Sequence, residues 1–161
     1  MHIQPQAEGL DYYENIKVWH RALTKSGIST DVIHSSEAFN GYKIIIAPHL
    51  YLLDEETAER LQAFAAAGGT LILTHRSGVK DDNNVCVMAP LPGLLSACSG
   101  VRVTEYDPVG SDTIMIRDDQ GNSYAASQWA DVLELDTAQP VAVYAGSILC
   151  GKCSCYAKSL G

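Results

Sequence analysis

The sequence lacks the features that would direct the chain to a membrane or to nucleic acid. No apolar run approaches the roughly 20 residues that a transmembrane helix needs. Lysine and arginine supply 11 residues against 19 acidic ones, which gives a formal net charge of −8, and no basic cluster interrupts this excess. Such a chain repels the phosphates of nucleic acid and of anionic lipids. We therefore expect neither nucleic acid nor a membrane as a partner.

The first residues, MHIQP, also lack the basic stretch and apolar core of a signal peptide, so we expect a cytoplasmic protein. The five cysteines are an odd number, and Cys150, Cys153 and Cys155 lie within six residues of one another. In a cytoplasmic chain this pattern does not indicate a disulfide framework.

Catalytic motifs are missing as well. The acids of Asp54-Glu55-Glu56 fit the start of a helix, and no context marks two other carboxylates as the pair that glycoside hydrolysis requires. Ser77-Gly78 resembles part of a nucleophile elbow, but position 75 is His75 rather than glycine. We predict no catalytic residue. The remaining acids considered, which we interpret as solvated strand edges, are Glu105, Asp107, Glu134 and Asp136.

Metal binding is only weakly indicated. Cys150, Cys153 and Cys155 could supply three thiolates to zinc, with Cys86 or Cys98 folding back as the fourth ligand. No second C-x₂-C pair is present, so ordinary buried or idle thiols remain the alternative. The acidic stretch 81–84 lacks the spacing of a calcium loop and predicts a turn. We predict no metal and no cofactor.

What the chain does contain is a clear strand–helix–strand unit between Gly41 and Gly78. After Lys43, the run 43–47 is continuously apolar, and the run 70–74 is apolar or β-branched, as in strands covered on both faces. Between them, Asp54 is a suitable helix N-cap, and Gly68-Gly69 ends the helix. Two strands joined by one helix predict a parallel pair with a right-handed crossover.

Other elements follow from hydrophobic periodicity. Apolar residues at helical spacing predict a helix of about 15 residues from Tyr12, ended by Gly27. A short strand is expected at 30–34, and a helical turn from Pro90 is closed by Gly100. Alternation in the last third predicts a small antiparallel annex, with strands at 101–106, 112–116, 129–135 and 141–144.

Polar residues follow both strands of the central unit. His49 lies just after the first strand, and His75 and the loop 76–84 follow the second. The carboxyl edge of an open α/β sheet is where ligand or partner contacts gather. The two histidines could face each other there, although we interpret them as surface or hydrogen-bonded structural residues.

Several stretches resemble the trimerisation domain of the family 42 glycoside hydrolases, the bacterial β-galactosidases. They cover nearly the whole chain in the family's order. These stretches are LDYY at 10–13, YKIIIAPHLYLL at 42–53, AGGTLIL at 67–73, RSGVKD at 76–81, PGLL at 92–95, GVRV at 100–103 and WADVLE at 129–134.

The resemblance implies one domain over residues 1–161, truncated at both ends. It implies a three-layer, doubly wound, mainly parallel α/β fold that is similar to class I glutamine amidotransferases and flavodoxin, with the antiparallel annex added. It also implies a non-catalytic domain of a homotrimer, which in the family follows a TIM barrel that carries both catalytic glutamates and hydrolyses terminal β-D-galactosides.

Within this interpretation, the expected subunit contacts are polar or aromatic residues at strand exits. The alternative is an amidotransferase-like enzyme or small-molecule binder on the same fold, since fold does not settle function. The expected contact residues are His49, Tyr51, Arg76, Ser77, Lys80 and Trp129.

Overall fold

A computed structural model describes residues 9–145 and 151–160, which form two differently built halves. The first half contains the helices and a parallel strand pair, and the second half is antiparallel. In chain order the elements are α1 (Tyr12–Lys25), β1 (Ile44–Ala47), α2 (Glu55–Ala66), β2 (Thr70–Leu73), a 3-10 turn (Gly93–Leu95), α3 (Ser96–Ser99), β3 (Val101–Asp118), β4 (Ser123–Leu135), β5 (Gln139–Ala145) and β6 (Cys153–Ala157).

The predicted strand–helix–strand unit is confirmed. β1 and β2 pair in parallel from Ile44 opposite Thr70 to Ala47 opposite Leu73. Asp54 caps α2 by accepting a hydrogen bond of 2.6 Å from the backbone N–H of Thr57. α2 then packs one face inward, where a core cluster of Leu53, Ala58, Leu61 and Leu95 is 2% exposed or less. Local sequence signals and apolar burial therefore agree in this half.

The first helix forms where the periodicity predicts it, but it lies on the surface. Asp11 caps α1 by accepting a hydrogen bond of 2.9 Å from Glu14 N. α1 buries none of its 14 residues against the described chain. The strand expected at 30–34 is wrong, because this described stretch forms no strand and its Val32 is 74% exposed. Polar residues surround Val32 and Ile33, so two apolar side chains alone do not hold a strand there.

The second half is a closed antiparallel barrel in the order β3-β4-β6-β5. β3 and β4 pair from Val101 opposite Leu135 to Arg117 opposite Ser123, with register shifts on the way. β5 pairs with the end of β3 and with β6, and a single pair between β4 and β6 closes the ring. The barrel core is built on Ile114, Ala130, Val132 and Tyr144.

The predicted fold class is therefore wrong. A three-layer, doubly wound, mainly parallel α/β fold of the glutamine amidotransferase or flavodoxin type needs several parallel strands. Among the named strands of the described residues, only β1 and β2 pair in parallel, whereas β3 to β6 pair antiparallel. The physical reason is the half-exposed alternation after Gly100, which favours antiparallel pairing with one wet face. The antiparallel part is a barrel with an 18-residue strand, not a small annex.

The loop after β2 is held close to the turn before α3. Gly78 has φ +68°, and a Cβ atom at this position would lie 2.4 Å from the carbonyl oxygen of Pro92. Only glycine fits so close a backbone contact. The exit of β2 is thereby fixed against the start of the barrel. None of the described helices is both long enough and apolar enough to cross a bilayer.

Candidate functional site

The exits of β1 and β2 are tied together, and both bend sharply. His49 and Arg76 adopt positive φ angles of 46° and 60°, which non-glycine residues rarely do. The backbone N–H of His49 donates a 2.8 Å hydrogen bond to Oγ1 of Thr74, which joins the two exits. Strain of this kind, of order 1–3 kcal/mol per residue, persists only where the surroundings hold it. The two bends turn His49, His75 and Arg76 toward β4.

Trp129 of β4 is the centre of the contacts that these residues make. Its ring stacks on Tyr106 at 5.2 Å and on His75 at 6.1 Å, with interplanar angles of 15° and 17°. The guanidinium of Arg76 lies 4.8 Å from the same ring. The indole N–H donates a 2.7 Å hydrogen bond to Asp131 Oδ1. The barrel and the parallel pair therefore meet through a stacked cluster of aromatic and cationic groups.

Arg76 also connects this cluster to the polar side chain of Tyr51. Its Nη2 donates a 3.2 Å hydrogen bond to the Tyr51 hydroxyl, and its guanidinium lies 5.0 Å from the Tyr51 ring. Lys80 Nζ lies 5.9 Å from that ring as well. Burial raises the pKa of Asp131, while the hydrogen bond from Trp129 and the charge of Arg76 act to lower it. A buried cation and a half-buried carboxylate thus share one patch.

His49 and His75 form an edge-to-face ring pair with centroids 4.0 Å apart. Burial is the main cause that lowers both pKa values, assisted by nearby cationic groups, and it takes the pKa of His75 to about 3. Both rings are therefore neutral at pH 7. In the described part of the chain, neither Nε2 atom has a hydrogen-bond partner. The pair packs as aromatic rings against Arg76 and Trp129.

Comparison with known proteins identifies the chain. The sequence model of the family described as "Beta-galactosidase trimerisation domain" matches residues 1–161. The chain belongs to this trimerisation-domain family. It is 50% identical over 142 residues to β-galactosidase BgaA of Clostridium cellulovorans, covering 88% of the chain and 22% of that protein. It is 34% identical over 147 residues to β-galactosidase BglY of Alicyclobacillus acidocaldarius, covering 87% of the chain and 21% of that protein.

Solved structures agree with this assignment. The crystal structure of β-galactosidase from Bacillus circulans sp. alkalophilus superposes with a TM-score of 0.88 at 29% identity, covering 91% of this chain and 23% of that one. The trimerisation-domain chain thus spans about a fifth of the length of the curated relatives it matches. The family resemblance drawn from the sequence is confirmed.

The structure brings the six expected contact residues of the trimerisation domain into one neighbourhood, but most of them are covered. His49, Arg76, Ser77 and Trp129 are only 3–8% exposed, and Tyr51 and Lys80 are half-buried. The Ser77 hydroxyl donates a 2.8 Å hydrogen bond to the Thr74 carbonyl within its own turn. That these residues contact another subunit stays a prediction.

Sequence reasoning missed Tyr106, which is 57% exposed and stacked on Trp129. Tyr106 lies in the strand 101–106 that the alternation predicts. Its place opposite Asp131 depends on the register of the long β3–β4 hairpin. No local signal fixes that register, because bulges shift it three times.

The four cysteines that the structure describes, Cys86, Cys98, Cys153 and Cys155, have free thiols. Cys150 lies outside the described residues. Burial raises the pKa of Cys98 and of Cys153, so both stay protonated, whereas a thiol nucleophile needs a lowered pKa. Cys86 and Cys155 are exposed. Within residues 9–145 and 151–160, no three histidine, cysteine or acidic side chains gather in a way that could hold a metal ion.

Proposed function

We propose that this chain is the non-catalytic assembly domain of a homotrimeric β-galactosidase. In this proposal the 161 residues form one domain, and a separate barrel domain of the same parent carries out hydrolysis. The observation that supports it is the family match over the whole chain, together with the small share of each full-length relative that the chain spans. Hydrolysis of terminal β-D-galactosides and a cytoplasmic location belong to this proposal for the parent protein.

The cluster around Trp129 suits a subunit contact in which a few exposed groups rest on buried ones. Aromatic residues and arginine dominate the binding energy of protein interfaces. Tyr106 is exposed and already stacked, so little rotamer freedom is lost on binding. We assign direct contact to Tyr51, Lys80 and Tyr106. His49, Arg76, Ser77 and Trp129 then position these three from beneath.

Light scattering over about a hundredfold range of protein concentration tests the proposal. Such a range reveals a tenfold change in Kd, which corresponds to about 1.4 kcal/mol of binding free energy. The expected species has about three times the chain mass of 17.4 kDa. The same preparation releases no galactose from a chromogenic galactoside. Sustained turnover of that substrate, or a monomer throughout the range, would contradict the proposal.

Replacing Tyr106 by alanine tests the contact surface separately. We expect the trimer of Tyr106→Ala to dissociate at roughly tenfold higher concentration, the effect of removing one interface aromatic. Tyr124→Ala is the matched control, because Tyr124 is another barrel tyrosine with a similar exposure, 54% against 57%. If the trimers of the two variants dissociate at the same concentration, Tyr106 is not a subunit contact.

A further inference from the structure

A basic groove runs along α1. The groove has a volume of about 490 Å³. It is lined by the apolar side chains of Ile16 and Val32 and by the cations Lys17, Arg21 and Lys25. α1 is amphipathic yet buries no residue against the described chain. A helix of this kind gains most of its stability from packing an apolar face. The groove shares the half-buried Ile16 with the apolar face of α1 and also contains the exposed Val32, so an occupant would bury more apolar surface there.

The charges in the groove form one row. Lys17, Arg21 and Lys25 are four residues apart, so they follow a single ridge at about 6 Å per step. Glu14, the only acid in α1, pairs with Lys17. The rest of the row gives the groove a positive charge in a chain whose net charge is −8.

The exposed side of α2 carries a matching row. Glu55, Glu59, Ala63 and Ala66 are all exposed and recur at helical spacing, opposite the buried face of Ala58 and Leu61. The one cation of α2, Arg60, does not neutralise this row. It donates a 2.7 Å hydrogen bond to the carbonyl of Ser35 and another to that of Glu37.

The two rows fit each other in spacing and in charge. Two carboxylates four residues apart face two or three cations four residues apart, and the alanines beyond them allow helix axes to approach within 8–10 Å. A second copy of this chain therefore carries a surface that matches the groove. Without such an attraction, copies that each carry −8 would repel one another.

We propose that the α1 groove of one copy receives the Glu55–Ala66 stripe of α2 from a second copy. Such a contact uses different patches on the two chains, so it is head-to-tail, and it closes into a ring when the rotation permits. Three copies related in this way form a cyclic trimer. The inference rests on the proposed assembly function and names one pair of surfaces that carries it.

Charge reversal tests the contact. Arg21→Glu and Glu59→Arg each change an exposed residue, so the fold is retained and circular dichroism checks it. We expect each single variant to raise the dissociation midpoint of the trimer by roughly tenfold or more, and the double variant to return it within about threefold of the starting value. Lys152→Glu is the matched control, because Lys152 is an exposed cation outside the groove.

The possible results separate this inference from the proposed function. A trimer that neither single reversal weakens, or that Lys152→Glu weakens equally, overturns the helix contact and leaves the assembly function standing. Loss without recovery in the double variant also overturns it, because the groove then binds something other than α2. A starting chain that stays monomeric overturns both.

Discussion

At the scale of single residues, the paired histidines show what local signals can and cannot predict. That His49 and His75 could face each other followed from their places after two neighbouring strands, and the 4.0 Å ring distance confirms it. His49 is not a surface residue, because its side chain is only 5% exposed. Within the described chain, neither Nε2 atom has a hydrogen-bond partner. His75 is half-buried and stacks on Trp129 of β4, which lies more than 50 residues further along the sequence.

The lowered histidine pKa values predict a loss of stability in acid. In the unfolded chain His75 binds a proton near its ordinary pKa of 6.5, whereas in the folded chain it does so only near 3. Below pH 6.5 the unfolded state therefore binds more protons, so the free energy of unfolding falls as the pH falls toward 3. One such group contributes a slope of at most about 1.4 kcal/mol per pH unit. Urea titrations at several pH values measure this slope.

The variant His75→Phe keeps a ring in the stack and removes the titration, so we expect a shallower slope between pH 6.5 and 4. His34→Gln, at an exposed histidine outside the α1 groove, is the control for replacing a histidine. An undiminished slope in His75→Phe would show that carboxylates, rather than this histidine, set the acid sensitivity.

At the scale of elements, the sequence predicts correctly those helices and strands whose ends are set by residues close by in the chain, and it misses those that depend on distant residues. β1, α2 and β2 are bounded by residues such as Asp54 that act within a few positions, and the sequence predicts all three. β6 was missed because its sequence, CSCYA, has no clear alternation, although it pairs with the preceding strand β5 as well as with β4. The barrel depends on register shifts that only long-range packing fixes.

The N-caps of α1 and α2 allow a test of how much each helix contributes to the free energy of unfolding. Asp54→Ala removes the acceptor for Thr57 N from a helix whose residues enter the core, so we expect a loss of about 1 kcal/mol in the free energy of unfolding. Asp11→Ala makes the same chemical change at α1, which is not buried. It should fray α1 and alter global unfolding by only a few tenths of a kcal/mol.

Urea unfolding measures the global effect of each cap variant, and amide exchange in α1 measures the fraying. Equal global losses from the two variants would mean that α1 is as firmly integrated as α2. That result would also weaken the view of the α1 groove as a surface open to a second copy.

At the scale of the whole molecule, several contacts among the described residues join two halves of different architecture. α3 contacts β3, the backbone N–H of Val103 donates a 2.9 Å hydrogen bond to the Leu91 carbonyl, and the cluster of His75, Arg76 and Trp129 connects the exits of the parallel strands to β4. The core of the parallel half is centred on Leu95 and that of the barrel on Val132, and they are separate clusters. We expect cooperative unfolding of the domain to depend on the stack at Trp129, because this contact joins the exits of β1 and β2 directly to the barrel.

Trp129→Ala is expected to uncouple the two halves. Removing a buried tryptophan costs about 3–5 kcal/mol, and here the loss falls on the junction rather than inside either core.

Hydrogen exchange measures the opening free energy of the amides in β1 and β2 against those in β3 and β5. In the unchanged chain we expect similar values in both halves, whereas in Trp129→Ala the parallel strands open at lower free energy than the barrel. Trp129→Phe keeps a stacked ring but loses the 2.7 Å hydrogen bond to Asp131 and part of the ring area, so the halves should stay coupled more closely than in Trp129→Ala. A uniform drop across both halves in Trp129→Ala would show that α3 and the hydrogen bond between Val103 and Leu91 hold the junction, and that the stack serves the barrel alone.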